Sequence, residues 1–167
     1  MIKVPKEQLT EIREHGVRDY PYECCGLLLG RFSDYGKIVS ETYPISNARE
    51  ESAKRNRFLI TPEELMRGEQ YARSRDLEVV GFYHSHPDSP AVPSKYDLEH
   101  AWPTYSYIIV STRPGEATDL FSWEQGRIVH DLTRRRWRSV RLEGVSRKGA
   151  KTQRKRIRTL RKNIRTL

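Results

Sequence analysis

One stretch limits the folds open to this chain more than any other. Val79-Val80 leads into Gly81-Phe82-Tyr83-His84-Ser85-His86-Pro87, and a Pro-rich loop then runs to Ser94-Lys95-Tyr96-Asp97. The apolar start reads as the end of a buried strand. His84 and His86 are two apart, so on a strand they share a face. The fold must therefore bring a strand end and the start of a short helical segment together if these residues act as one group. Two imidazoles and a carboxylate are three good ligands for Zn²⁺, and three protein ligands leave a fourth position open, the count of a catalytic site. Each part also has a plain structural reading. A His-x-His pair can be two half-buried strand histidines, and Ser94-x-x-Asp97 is a capping-box pattern with Ser94 as N-cap.

His84-Ser85-His86, seven residues, Ser94, two residues and Asp97 together resemble the motif of the JAMM (MPN-plus) zinc metallopeptidases, position by position. The upstream run Pro21-Tyr22-Glu23-Cys24-Cys25-Gly26-Leu27-Leu28-Leu29-Gly30 supplies the distant glutamate of that family and is similar to its bacterial branch. The resemblance covers roughly residues 1 to 133. It implies an α/β (α+β) fold, a mixed central β-sheet flanked by helices, of the cytidine-deaminase-like JAMM type. It implies one Zn²⁺ on His84, His86 and Asp97, with Glu23 as proton acceptor and donor and Ser94 as hydroxyl donor to the oxyanion. Such a base must not itself bind the metal, and it must hand its proton to the leaving amine. Ser85, on the opposite strand face, reads as structural, and Pro87, Pro90 and Pro93 stiffen the loop between the ligand groups. Asp88 is close enough in sequence to serve as an outer partner of a ligating imidazole. His15, His100 and His130 have no ligand spacing and read as ordinary surface or half-buried histidines.

With 167 residues, the chain is long enough for one domain with a core. No apolar stretch approaches the 18 or so residues of a membrane span. The N-terminal segment has no apolar signal core, which points to the cytoplasm. The only cysteines, Cys24 and Cys25, are adjacent and read as two reduced, buried thiols rather than a catalytic nucleophile. The net charge of +9 is unevenly placed. Residues 147–167 hold ten of the 31 Lys and Arg and no acid, so the other 21 stand against 22 Asp and Glu. The expected division is a near-neutral metallopeptidase domain, 1–146, and a basic tail, 147–167. In the tail Ile157, Leu160, Ile164 and Leu167 fall at helical spacing. It reads either as a solvated extension or as an element that docks on an acidic protein or nucleic acid.

Periodicity and turn residues set the remaining elements. Helices are expected over 5–19, from Thr61-Pro62 to about Arg75, and over 94–101. Gly16 weakens the end of the first. Strands are expected over 24–32, 37–45, 58–60, 78–86, 105–112, 117–124 and 127–133, with an edge strand over 137–142. The polar segment 46–57 reads as a surface connector or as a flap beside the site.

The bacterial branch that this chain resembles releases cysteine from small sulfur-carrier proteins ending in Gly-Gly. The expected reaction is therefore zinc-dependent hydrolysis after the C-terminal glycine of a ubiquitin-like or sulfur-carrier protein. The alternative is an isopeptidase that removes a ubiquitin-like protein from lysine. A non-enzymatic MPN scaffold is a third reading, but such scaffolds usually lose ligands and this chain keeps all of them.

Overall fold

The continuous apolar run after Glu23 becomes the middle of a sheet. A computed structural model of the chain describes residues 2–124 and, as a strand, 127–131. Its elements are β1 (Ile2–Lys3), α1 (Lys6–Asp19), β2 (Cys25–Ser33), β3 (Gly36–Ile45), α2 (Pro62–Ser74), β4 (Glu78–Pro87), α3 (Lys95–His100), β5 (Ser106–Arg113), β6 (Glu116–Glu124) and β7 (Arg127–Asp131). The seven strands lie in the order β1-β3-β2-β4-β5-β6-β7. The β1–β3 and β4–β5 pairs are parallel and the others antiparallel, so the sheet is mixed as expected. Strand β2, apolar on both faces, is buried from Cys25 through Gly30.

Each sheet face carries its own core. Ile12 of α1 packs with Val4, Cys24, Leu28, Val80, Tyr83, Ile108 and Val110 on one side. Ala72 and Leu65 of α2 pack with Cys25, Leu27, Leu29 and Val79 on the other. Cys24 and Cys25 thus point to opposite faces, both buried and both free. Burial pushes both thiols well above their ordinary range, which leaves no reactive thiolate at neutral pH.

Two glycines explain how closely the helices lie down. A Cβ on Gly16 would stand 2.8 Å from Thr112 Cγ2 and 3.4 Å from Ser85 Cβ. One on Gly68 would stand 2.2 Å from Leu27 Cδ1. Gly16 therefore does not weaken α1 as its helix propensity suggests; it is the point where α1 meets β4 and β5. Gly16→Val is expected to destabilise the fold by about 1–3 kcal/mol through overpacking. A lower urea midpoint at unchanged slope is the measurement that checks this.

Two sequence expectations need correction. Phe58-Leu59-Ile60 joins no strand, because its hydrogen bonds go to the preceding loop. Leu59 N donates to Asn47 Oδ1 at 3.1 Å, and Ala48 N donates to Leu59 O at 3.0 Å. Strand β1 was not read from the sequence, since two residues carry no periodicity. The expected strand over 137–142, the last residues of the 127–133 strand and the basic tail lie outside the described residues. Among the described residues no helix is long and apolar enough to cross a membrane.

A bulge in β4 decides which way its end faces. Leu28 is opposite Gly81 but Leu29 is opposite Val79, so β4 carries an extra residue at Val80. The bulge shifts the side-chain alternation by one. Val79 and Phe82 fall on the α2 side, and Val80 and Tyr83 on the α1 side. From Phe82 onward regular alternation turns His84 and His86 toward the α2 side and Ser85 toward α1.

Candidate active site

The end of β4 carries His84 and His86, both buried, with their Nε2 atoms 3.1 Å apart. Asp97 enters from the first turn of α3. Its Oδ1 lies 3.5 Å from His84 Nε2 and its Oδ2 3.5 Å from His86 Nε2. The capping box read from the sequence is what aims it. Ser94 N donates to Asp97 Oδ2 at 2.7 Å, and Asp97 N donates to Ser94 Oγ at 3.2 Å. The structural and the functional readings of Ser94-x-x-Asp97 are therefore compatible, because the cap fixes the carboxylate against the imidazoles. Since Oγ accepts at the cap, the Ser94 hydroxyl proton is left to donate elsewhere.

Outer contacts hold the two rings differently. His86 Nδ1 donates to Pro90 O at 3.0 Å, which leaves the Nε2 lone pair facing Asp97 and His84. His84 is held by stacking on Phe58, ring centroids 4.6 Å apart, while its Nδ1 is buried with no partner among the described residues. Burial lowers the pKa of His84 and favours its neutral ring. Burial acts the same way on His86, but the Asp97 carboxylate, the Pro90 carbonyl and Glu23 outweigh it and raise the pKa. Burial would raise Asp97 too, yet the two imidazoles at 3.5 Å and the Ser94 cap hold its carboxyl well below the usual range.

The residues present fit a metal ion. The donor atoms of His84, His86 and Asp97 all lie within 4.8 Å of one another. Tetrahedral zinc with bonds of roughly 2.0–2.1 Å spaces its ligands about 3.3 Å apart. The separations of 3.1, 3.5 and 3.5 Å match that spacing.

Glu23 stands just before β2. Ser85 N donates to Cys24 O at 3.1 Å and Cys24 N to Ser85 Oγ at 2.9 Å, and Cys25 is opposite His84. Continuing that register sets Glu23 beside His86, on the face of the two imidazoles. Glu23 is only 6% exposed. Burial pushes its carboxyl up to about 7, with the Asp97 charge adding to the shift and His86 and Arg57 opposing it. A carboxyl in that range accepts and returns a proton near neutral pH.

The segment 46–57 wraps this side of the site, as its flap reading expects. Glu23 N donates to Lys54 O at 2.8 Å. Asn47 was not singled out in the sequence, where it is one polar residue among many. Its Nδ2 donates to Glu23 O and Arg57 O, and its Oδ1 accepts from Arg49 N and Leu59 N. One amide thereby ties Glu23, the flap and the Phe58 strap together. On the other side of the histidines a small apolar pocket is lined by Phe58, Tyr96, Leu98, Tyr107 and Trp123.

Other sequence readings fall as follows. Ser85 is structural, holding Cys24 N from the far face. Asp88 does not touch an imidazole; it accepts from Tyr20 Oη and Arg55 instead, and the Pro90 carbonyl takes the role expected of it. His15 is not a surface residue. It is 5% exposed, with Nδ1 2.8 Å from Tyr83 Oη and Nε2 3.1 Å from Asp19 Oδ2. His100 is exposed and stacks on Tyr96.

Residues 5–126 match the family described as prokaryotic homologs of the JAB domain. The chain belongs to the prokaryotic JAB-domain family. It is 41% identical over 104 residues to a desampylase of Haloferax volcanii, covering 62% of this chain and 72% of that one. It is 30% identical over 112 residues to a probable TtuB-protein conjugate cleaving protease of Thermus thermophilus, covering 67% of this chain and 71% of the relative. A JAB1/MPN-domain protein of Archaeoglobus fulgidus shares the fold, with a TM-score of 0.50 at 22% identity over 76% of this chain and 94% of that one. Family, fold and proteolytic relatives make this JAB-domain chain a JAMM-type hydrolase.

Proposed function

We propose that the chain is a zinc metallopeptidase that cuts the bond after the C-terminal glycine of a ubiquitin-like or sulfur-carrier protein and releases cysteine. The observation that carries this reading is the pairing of a three-donor cluster with a buried carboxyl that is not one of the donors. His84, His86 and Asp97 would hold one Zn²⁺, and such an ion would supply Lewis-acid polarisation of the scissile carbonyl and a water of lowered pKa, from 15.7 towards about 7. Glu23 takes the proton from the attacking water. As the carbon–nitrogen bond breaks, Glu23 gives that proton to the departing amine, and the glycine is left as a carboxylate. The Ser94 hydroxyl donates to the oxyanion that develops on the carbonyl oxygen. The apolar pocket beside the histidines is where the Gly-Gly end of a carrier would lie.

The catalytic unit is residues 1–146 and the basic 147–167 segment is a separate element that meets an acidic protein or nucleic acid. The family match ends at residue 126 and every proposed catalytic residue precedes it, which supports this division. A second reading, cleavage of a ubiquitin-like protein from lysine, is favoured by the Thermus relative, described as cleaving protein conjugates.

Mass spectrometry separates the two. A Gly-Gly carrier extended by one cysteine should lose that single residue on mixing, and chelator should stop the reaction. Cleavage of a lysine conjugate together with an untouched extended carrier would establish the second reading in place of the first.

A further inference from the structure

Two arginines beside the site make no ion pair among the described residues, although the charge of Arg57 reaches Glu23. Arg49 and Arg57 both stand over the ring of Tyr96, their guanidinium carbons 5.6 and 5.0 Å from its centroid. Arg49 also donates to Tyr96 Oη. The neighbouring Lys54 and Arg55 are paired with Glu51 and Asp88. Among the described residues no carboxylate lies within ion-pair distance of Arg49 or Arg57, and Arg49 Nε is buried with no partner. Arg49 thus spends one N–H on Tyr96 Oη and Arg57 one on the Asn56 carbonyl, and each guanidinium keeps donors that the described residues leave unused.

The placement limits what that ligand is. Tyr96 directly precedes Asp97, and Arg57 directly precedes Phe58, which stacks on His84. Asn47 ties the Arg57 carbonyl and the Glu23 carbonyl to one amide, so Arg57 and the proton donor share a support. In an α-amino acid leaving group the carboxylate is two bonds from the amine. Whatever binds that carboxylate must stand next to the group that protonates the amine. A lysine ε-amine in a protein chain brings no such carboxylate with it.

We infer that Arg49 and Arg57, braced on Tyr96, form a receptor for the free α-carboxylate of a single residue released from the substrate's C-terminus. Paired guanidinium forks suit a planar carboxylate, and the stacked tyrosine preorganises both. This inference deepens the peptidase reading, on which it rests, because it selects terminal-residue release over lysine-isopeptide cleavage. Arg49 and Arg57 are specificity-determining residues here, with no part in bond breaking.

The test uses the full chain carrying Glu23→Gln and a fluorescent peptide ending in Gly-Gly-Cys, either as the free acid or as the C-terminal amide. Fluorescence anisotropy should find the acid bound about tenfold more tightly than the amide, with the gap shrinking as salt rises. Arg49→Gln/Arg57→Gln should abolish the preference, while Arg49→Lys/Arg57→Lys should keep part of it. Equal binding of acid and amide to Glu23→Gln, or a preference that survives the double glutamine variant, would overturn the receptor. Hydrolysis by the unmodified chain is scored separately. A binding preference with no cleavage of either peptide would sink the peptidase reading and leave the receptor standing.

Discussion

Purified chain is expected to carry about one zinc per molecule, and either His84→Ala or Asp97→Asn to strip most of it. Asn is the sharper choice at 97. Asp97 both faces the imidazoles and accepts from Ser94 N, so alanine would remove a candidate ligand and the α3 cap together. Asparagine keeps a side-chain oxygen for the cap and removes the charge. Losing a direct ligand should cost more than the 10–100-fold typical of an outer contact. Binding to the native state alone also stabilises it, by about 4 kcal/mol at free metal near 1,000 times the dissociation constant. For a chain of this size chelator should therefore lower the melting temperature by roughly 10 °C. The His84→Ala and Asp97→Asn proteins should melt at the same temperature with and without chelator. Zinc retained at full stoichiometry in both variants would remove the donor assignment.

The parts of this site that are legible in sequence are those governed by short spacings. His84 and His86 share a face because a strand alternates, and Asp97 is aimed inward because Ser94 caps its helix. What sequence leaves open is which face. The extra residue at Val80 shifts the alternation in β4, and bulges leave no compositional mark when the strand is apolar on both sides. Glu23 shows the same limit over a longer range. It reaches His86 only because β2 and β4 pair in one register, some sixty residues apart in the chain. The resemblance to a family brought it forward; residue chemistry alone reads it as an exposed turn. Asp88 shows that nearness in sequence misleads in a Pro-rich loop, where the chain turned its carboxylate toward Tyr20 and Arg55 and gave the His86 contact to a carbonyl. Phe58-Leu59-Ile60 reads as a strand in sequence, but Phe58 serves the site through its stack on His84. Asn47 had no signal at all, since its four hydrogen bonds are made by tertiary structure.

Glu23→Gln should leave zinc and fold in place and lower turnover by a factor of about 10² to 10⁴. The substitution keeps size and removes only the ability to accept and return a proton. Ser94→Ala should lose less rate: it removes one donor to the transition state and the cap acceptor of Asp97 N, while the Ser94 N bond to Asp97 Oδ2 that aims the carboxylate remains. The burial of Glu23 gives a second, independent readout in chelated protein. Its carboxyl is raised from 4.5 to about 7 in the folded state. A raised pKa means that the folded chain holds a proton that the unfolded chain releases. Glu23 therefore contributes stability at low pH that is lost as the pH rises from about 4.5 to about 7. Glutamine has no such loss. The variant should gain melting temperature relative to the parent chain between pH 5 and pH 8, while turnover in the presence of zinc stays low throughout. Loss of zinc from Glu23→Gln would make Glu23 a fourth ligand, and the proton transfer assigned to it would have to be given to another group. Unchanged turnover with zinc retained would place the base elsewhere and leave the buried carboxyl as a structural residue.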